Sequence, residues 1–223
     1  MKVVISLGGS VIIPEEVDYK YLEKFSKVIK KFSKRNKIVI VTGGGSTARK
    51  YIDPLVKLKK GEKAYSAVGI SSTRINARLV RRIFGFSGRF PIEIKHVKND
   101  LKKNNLVICG ALGERSGITS DANAAEVAKE IDADFFVNIT NVIGLYTKHP
   151  KLKNSKLIKE ISYDKFLVMA NKIKYKAGQH FVLDQVAAKL IKKYKIKTFI
   201  VCDDLRNLKK VLKERKFKGT VIS

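Results

Sequence analysis

Three groups of glycine residues follow apolar, β-branched runs of the kind that form buried strands. In chain order the groups are Gly8 with Gly9, residues 43–45, and Gly110 with Gly113 and Gly117. Glycine turns at the carboxyl ends of strands let backbone N–H groups approach phosphate oxygens, and the helix that follows adds a favourable dipole. Because one phosphate needs only one such turn, three at one sheet edge indicate two phosphorylated ligands that meet end to end.

The elements that must position these turns are predicted from hydrophobic periodicity. The strand-like runs are residues 3–7, 38–42, 106–109, 135–140 and 198–202, with residues 92–97 as a possible extra short strand. Helical spacing is found in residues 19–33, 70–83, 122–131, 181–194 and 205–215. Alternation of strands and helices implies right-handed crossovers, so the sequence predicts an α/β fold with a central, mainly parallel sheet.

Arg49 lies one turn into the helical segment after the triple glycine, where its forked guanidinium would reach between two phosphates. The alternative is a surface arginine paired with a carboxylate. Asp121 precedes an alanine-rich segment, where an aspartate is an ordinary helix N-cap, and both roles are compatible. Tyr146 is equally consistent with a ligand contact and with a half-buried loop aromatic.

Two common nucleotide-binding motifs are absent from the sequence. It contains no GxxxxGK[ST] run, and no GxGxxG follows a strand, so neither a P-loop nor a Rossmann dinucleotide site is predicted. Cys109 and Cys202 do not have metal-ligand spacing, and His149 has no partner His or Cys nearby. No protein-bound metal site is therefore expected.

The chain has 223 residues, which fits one domain, and its 47 Lys and Arg against 20 Asp and Glu give a formal net charge of +27. The cations are spread over the predicted helices, which favours solvated faces over a dedicated nucleic-acid function. No apolar run approaches the ~20 residues that span a bilayer, and the first strand does not run into a signal-peptide cleavage site. The sequence thus predicts a cytosolic protein that binds no membrane.

Five motifs together resemble the archaeal UMP kinases of the amino-acid-kinase family. They are residues 4–11 (VISLGGSV), 41–52 (VTGGGSTARKYI), 117–122 (GITSDA), 139–147 (ITNVIGLYT), and the late elements 176–178 (KAG), 182–184 (VLD) and 187–189 (AAK). The matches extend from residue 4 to about residue 190 in the family's order and spacing. The resemblance implies a three-layer αβα sandwich that phosphorylates UMP to UDP with ATP and Mg²⁺, usually as a homohexamer.

The same resemblance assigns roles to individual positions. Contacts to ATP are implied for Gly9, Ser10, Gly45, Arg49, Thr140, Tyr146 and His149. Contacts to UMP are implied for Gly44, Ser66, Glu114, Arg115, Ser116, Gly117, Ile118, Thr119 and Ser120, with Asp121 supporting that loop. Arg49 and Asp184 are the expected catalytic pair. The acceptor would bind a lobe ending near residue 133, and ATP the lobe that begins near residue 134.

Three positions depart from the family pattern, because Ser66, Ile143 and His149 stand where family members usually carry acids. The changes fall on nucleoside recognition more than on the phosphate turns. Two alternatives therefore stay open: a family member with another small acceptor, such as isopentenyl phosphate, and a degenerate kinase with an RNA-binding or regulatory role. The first lacks its expected support, since no His follows Gly45 in residues 46–49.

Overall fold

The computed structural model describes residues 1–148, 150, 152–172 and 183–223. The strands are β1 (Lys2–Leu7), β2 (Lys37–Thr42), β3 (Leu106–Cys109), β4 (Phe135–Thr140), β5 (Leu145–Tyr146), β6 (Leu157–Ile158), β7 (Glu160–Ile161), β8 (Thr198–Cys202) and β9 (Thr220–Ile222). The helices are α1 (Gly9–Ile12), α2 (Tyr19–Ser33), α3 (Gly45–Lys57), α4 (Glu62–Ile83), α5 (Ile94–Lys103), α6 (Ser120–Glu130), α7 (Tyr163–Lys172), α8 (Gln185–Tyr194) and α9 (Leu205–Val211).

Seven strands form one sheet in the order β3-β2-β1-β4-β8-β9-β7, and β5 pairs with β6 in a separate antiparallel ribbon. Within the main sheet only β8 and β9 run antiparallel to each other. β1 lies between β2 and β4, with Val3 opposite Ile38 of β2 and opposite Phe135 of β4. The predicted parallel sheet and the five predicted strands are confirmed.

Helices cover both faces of the sheet, which confirms the three-layer αβα arrangement. Val3, Ile5 and Leu7 of β1 pack into one core with residues of α2 and α9, whereas Val4 packs into a second core with residues of α6 and α8. Successive side chains of a strand point to opposite faces, so a strand buried on both sides must be apolar throughout. This requirement explains the continuous apolar runs in the sequence.

Helix α2 has the predicted bounds, because its buried side chains recur at helical spacing and its start is capped. Leu22, Phe25 and Ile29 are buried on one face, and the Asp18 carboxylate accepts a hydrogen bond of 2.9 Å from the Tyr21 N–H. In the described part of the chain, no helix has the length and apolarity needed to cross a membrane.

The predicted short strand at residues 92–97 is wrong, since residues 94–103 form α5. Val97 and Leu101 are buried four residues apart, which is the spacing of one helix face and overrides the local β-branched composition. Helix α4 begins at Glu62, eight residues before the predicted start, and α8 begins at Gln185, after its cap. Residues 181 and 182 of that predicted helix lie outside the described residues.

Candidate active site

The first glycine turn (residues 8–10) and the second glycine turn (residues 43–45) interlock through their backbones. A Cβ placed on Gly9 would lie 1.9 Å from the Gly45 nitrogen, and one placed on Gly43 would lie 2.5 Å from the Gly9 nitrogen. Gly45 has a φ of +64°, and its Cβ would lie 2.3 Å from the Gly9 carbonyl oxygen. Side chains at these positions would separate the two turns, so the close approach requires glycine on both sides.

Both turns are fixed by hydrogen bonds that continue the sheet beyond its regular pairs. The Gly8 N–H donates to the Ile139 carbonyl at 2.9 Å, and the Gly43 N–H donates to the Leu7 carbonyl at 2.9 Å. Helix α1 begins at Gly9 and α3 begins at Gly45, so two helix N-termini meet at the interlocked turns. The first N–H groups of a helix lack intrahelical partners, and two such ends together favour a polyanion.

Asn76 of α4 holds the second glycine turn from behind. Its side chain is 1% exposed, and its amide donates to the carbonyls of Gly43 at 2.8 Å and Gly44 at 3.0 Å. Carbonyl oxygens bound to Asn76 face the helix, so they do not present their negative ends to an anion at the turn. The sequence reasoning missed this residue. Its signal was a polar residue between Thr73 and Ala77 on the apolar face of a predicted helix.

Helix α4 also holds the long loop (residues 110–119), which connects β3 to α6. The Thr73 hydroxyl accepts a hydrogen bond of 2.8 Å from the Ala111 N–H, and the Arg74 guanidinium donates to the Ala111 and Gly113 carbonyls at 3.1 and 2.8 Å. A Cβ on Gly110 would lie 2.8 Å from the backbone of Thr73 and Arg74. The start of the loop therefore lies directly against the helix backbone.

Ser66, four residues into α4, contacts the far end of the long loop. Its hydroxyl accepts a hydrogen bond of 3.1 Å from the Gly117 N–H and lies 3.1 Å from the Ser116 hydroxyl. Ser66 and Thr73 are seven residues apart, so the two attachment points are separated by roughly 10 Å along the helix. The third glycine group is thus joined to the second glycine turn through α4 rather than by direct contact.

Two carboxyl groups meet next to these turns. The Ser6 hydroxyl, buried in β1, donates to Asp121 at 2.8 Å, and the Thr119 hydroxyl donates to Asp184. The pKa of Asp121 is raised from 3.8 to about 7, chiefly because the carboxyl is buried; the Ser6 hydrogen bond opposes the rise and the nearby Asp184 carboxylate adds to it. Asp121 is thus close to half protonated at neutral pH.

The N-cap of α6 is Thr119, so the interpretation of Asp121 as that cap is wrong. The Thr119 hydroxyl accepts a hydrogen bond of 3.1 Å from the Ala122 N–H, while Asp121 lies in the first turn and contacts β1. Asp184 is itself the N-cap of α8 and accepts from the N–H groups of Val186 and Ala187 at 2.7 and 3.0 Å. Both aspartates therefore have structural partners near the site.

The remaining described residues that were predicted to contact ATP lie along the same edge of the sheet. Arg49 is exposed on α3 and forms no hydrogen bond or ion pair within the described ranges. Ser10 lies in α1, Thr140 ends β4, and Tyr146 lies in β5 opposite Leu157. His149 lies outside the described residues.

Two predicted residues of the long loop are engaged by other side chains. Glu114, with a side chain 82% exposed, pairs with Arg74 at 3.1 Å, and Arg115 forms a two-point ion pair with Glu126 of α6. Ile118 packs against the apolar core, and Ser120 begins α6. None of the predicted site residues that are described lies at the opposite, amino end of the strands.

Two surface depressions in the described part of the chain lie away from this site. One lies at the amino ends of β1 and β2, between Lys2 and Lys37, and another lies beside β7 and α7. The glycine turns instead form an open rim of the sheet. There the two backbone turns touch and two helix N-termini meet, which favours binding of an anion. Among the described residues, no group of three or more His, Cys, Asp or Glu is arranged to hold a metal ion.

Comparisons with known proteins agree with this geometry. The model of the amino acid kinase family matches residues 1–202. A uridylate kinase of Archaeoglobus fulgidus is 35% identical over 225 residues that cover all of both chains. A uridylate kinase of Thermococcus sibiricus is 36% identical over 229 residues, covering 100% of this chain and 99% of that protein.

Solved structures extend the similarity to three dimensions. The crystal structure of the Archaeoglobus fulgidus uridylate kinase superimposes with a TM-score of 0.88 at 33% identity and covers all of both chains. A UMP kinase structure from Bacillus anthracis superimposes with a TM-score of 0.82 at 19% identity and covers 95% of that chain, a likeness that supports the fold alone.

Proposed function

The chain belongs to the amino acid kinase family, and on that premise we propose that it transfers the γ-phosphoryl group of ATP to UMP, producing UDP and ADP. The full-length similarity to uridylate kinases supports UMP as the acceptor. The observation that carries the proposal is the interlock of Gly9 with residues 43–45, which brings two helix N-termini together. Neither alternative, another small acceptor or a degenerate RNA-binding protein, receives support from these relatives.

In the proposed reaction a phosphate oxygen of UMP attacks the γ-phosphorus of ATP. The bond from that phosphorus to the oxygen bridging the β- and γ-phosphates breaks, and ADP leaves. Such transfers depend on alignment and on neutralising charge, rather than on covalent chemistry by the protein. The N–H groups at the starts of α1 and α3 that have no intrahelical partner supply fixed donors to the transferring group, except that of Ser46, which donates to the Ile13 carbonyl at 3.2 Å. Arg49, exposed one turn into α3, adds a mobile forked donor.

Acceptor binding is assigned to the long loop together with Gly44 and Ser66. The hydroxyl pair of Ser66 and Ser116 and the Arg74–Glu114 ion pair hold this loop in shape. Arg115 contributes to UMP binding only if its guanidinium leaves Glu126 or binds both partners at once. The proposed acceptor-binding part of the chain extends to residue 133, and the proposed ATP-binding part begins at residue 134.

Mg²⁺ belongs to the proposed reaction because it neutralises the phosphate charge that accumulates during transfer. It is usually held by one or two carboxylates and by substrate phosphates, a mode that needs no cage of protein ligands. Asp121 and Asp184 lie beside the glycine turns but do not fit a direct metal contact, because the Asp121 carboxyl is buried against Ser6 and both Asp184 oxygens accept hydrogen bonds. The metal would therefore be held mainly by the substrate phosphates.

We further expect the chain to self-associate through the outer face of α3 and α4. Helix α3, whose residues are all described, buries only Ser46, and Tyr51, Leu58 and Ile75 are 67%, 64% and 59% exposed. Large exposed apolar side chains on two packed helices are typical of protein interfaces. The hexamer and the cytoplasmic location stay predictions. Light scattering of the purified protein measures the oligomer size.

An acceptor screen with ATP and Mg²⁺ tests the proposed function. ADP release is measured with UMP, CMP, AMP, carbamate and isopentenyl phosphate, and UMP should give the highest kcat/KM. Clear turnover of another acceptor with none of UMP would replace the substrate assignment. Tight RNA binding at physiological salt together with no kinase turnover would replace the enzyme assignment.

A further inference from the structure

Helix α4 contacts both the second glycine turn and the long loop, and two of its side chains make the central contacts. We propose that Asn76 and Arg74 are positioning residues that set these two segments relative to each other, and thereby align the acceptor with the donor phosphates. The inference deepens the proposed function and rests on it for the identity of the two ligands. Neither residue is assigned a direct contact with a substrate.

The Asn76 contact fixes the second glycine turn. One buried amide nitrogen reaches two successive carbonyls, at 2.8 Å to Gly43 and 3.0 Å to Gly44. A peptide group that turns its carbonyl inward turns its N–H outward, so the contact orients N–H donors as well. Loss of this amide would leave the buried Gly43 carbonyl without this partner and the Gly44 carbonyl with the Ala48 N–H at 3.3 Å, and the turn would gain freedom to rotate.

The Arg74 contact fixes the start of the long loop. Its guanidinium, on a side chain 19% exposed, donates to the carbonyls of Ala111 and Gly113 and pairs with Glu114. Three acceptors in different directions suit a planar fork of five donors, and a lysine cannot reproduce that arrangement. The neighbouring Thr73 adds a hydrogen bond from the Ala111 N–H. The loop is therefore held at several points over four residues.

The geometry of α4 couples the two contacts. Successive residues in a helix are rotated by about 100°, so Arg74 and Asn76 project about 200° apart, toward opposite sides. Both segments also pack against α4, because a Cβ on Gly44 would lie 3.6 Å from the Ser72 Cβ and one on Gly110 would lie 2.8 Å from the Thr73 backbone. Both segments thus take their positions from about one turn, residues 73–76, of one 22-residue helix.

The first arm of the test changes Asn76 and compares it with a matched buried asparagine. Asn76→Ser should lower kcat at least tenfold while the KM for UMP changes less than threefold, and Asn76→Asp should lower kcat further. Asn207→Ser is the control. The Asn207 side chain also holds loop backbone, since it donates to the Lys218 carbonyl and accepts from the Lys218 N–H, but it belongs to α9 and does not contact the glycine turns. The control should lose similar stability in urea unfolding and keep kcat within twofold.

The second arm changes Arg74. Arg74→Lys should raise the KM for UMP about tenfold with kcat within threefold of the native value. Arg78→Lys is the control, because Arg78 is an exposed arginine of the same helix that lies over the Phe90 ring, so its KM for UMP should stay within twofold. If Arg78→Lys raises the KM as much as Arg74→Lys does, the contacts of Arg74 with the loop do not set the KM, and the positioning role of the fork is wrong.

The double variant, Arg74→Lys with Asn76→Ser, tests the coupling itself. If α4 sets a relative position, the loss in kcat/KM should be clearly smaller than the product of the two single losses, because one loosened segment already misaligns the substrates. A loss equal to the product would show two independent effects and would overturn the proposal.

Amide hydrogen exchange separates failure of this inference from failure of the proposed function. Asn76→Ser should accelerate exchange in residues 43–45, and Arg74→Lys should accelerate exchange at Ala111, whether or not UMP is the acceptor. Unchanged exchange in both variants would overturn the positioning role even for an active UMP kinase. Absent UMP turnover with the expected exchange pattern would overturn only the substrate.

Discussion

The glycine turns and the long loop lie at the same edge of the sheet but hold their shapes in different ways. The two turns meet each other through backbone contact, with Gly9 directly against residues 43–45, and one side chain, Asn76, supports them. The long loop is held by side chains of α4, chiefly Thr73, Arg74 and Ser66. A site built from backbone tolerates almost no added atom, whereas a loop held by several side chains loses its shape by degrees. Substitutions in the two regions should therefore differ in severity.

The largest expected effect is that of Gly9→Ala. Its Cβ would lie 1.9 Å from the Gly45 nitrogen, so the turns must separate, at a cost of about 3 kcal/mol or more and with loss of measurable turnover. Urea unfolding and ADP release measure both outcomes. Gly69→Ala in α4 is the control, because its Cβ meets only the Ile52 side chain at 3.7 Å and should be neutral or stabilising. Normal turnover of Gly9→Ala would contradict the interlock.

Asp121→Asn should change the pH dependence of stability. Near pH 4 and below, the carboxyl is protonated in both states, but between pH 4 and 7 the unfolded chain releases a proton that the folded chain keeps. Native stability therefore falls across that range, by at most about 4 kcal/mol for a pKa of about 7. The asparagine variant should gain stability relative to the native chain as pH rises from 4 to 7. Parallel unfolding curves across this range would contradict the raised pKa.

Arg49→Ala tests whether an exposed side chain contributes to catalysis at the interlocked glycine turns. We expect kcat/KM to fall more than tenfold, about 1.4 kcal/mol or greater, because a charge-assisted donor to the phosphates is lost. Stability should change little, since Arg49 is exposed and has no partner in the described ranges. The matched control is Lys50→Ala, at the next exposed position of α3. Equal kinetics for Arg49→Ala and the native chain would place the active site elsewhere.

The smallest effect is expected for Ser66→Ala, which removes one of the side chains that hold the long loop. It removes the acceptor for the Gly117 N–H and one hydroxyl of the pair with Ser116, worth about 1 kcal/mol. The KM for UMP should rise between twofold and fivefold, with kcat unchanged. Ser71→Ala is the control, since that hydroxyl donates only to the Ala67 carbonyl on the exposed side of α4. A tenfold loss of kcat would show that Ser66 does more than support the loop.

The same contrast explains how much the sequence predicted. Glycines after apolar runs mark the two turns because local chain geometry demands both features, and five of the seven strands of the main sheet are predicted for the same reason. The contacts of Asn76 and Arg74 reach residues more than 30 positions away, so no local pattern contains them. Asp121 was assigned as a cap from composition, although its partner is Ser6 of β1. The hydrophobic periodicity of a segment does not predict its polar contacts with segments far away in the sequence.

The ladder between β1 and β4 limits how the proposed acceptor and ATP halves can move. Five residue pairs, from Val3 with Phe135 to Leu7 with Ile139, join these halves at the centre of the sheet. A hinge between the halves would break this pairing, at about 1 kcal/mol for each hydrogen bond lost. Exclusion of water during catalysis must then come from local closure of surface segments, such as the long loop, over a rigid floor.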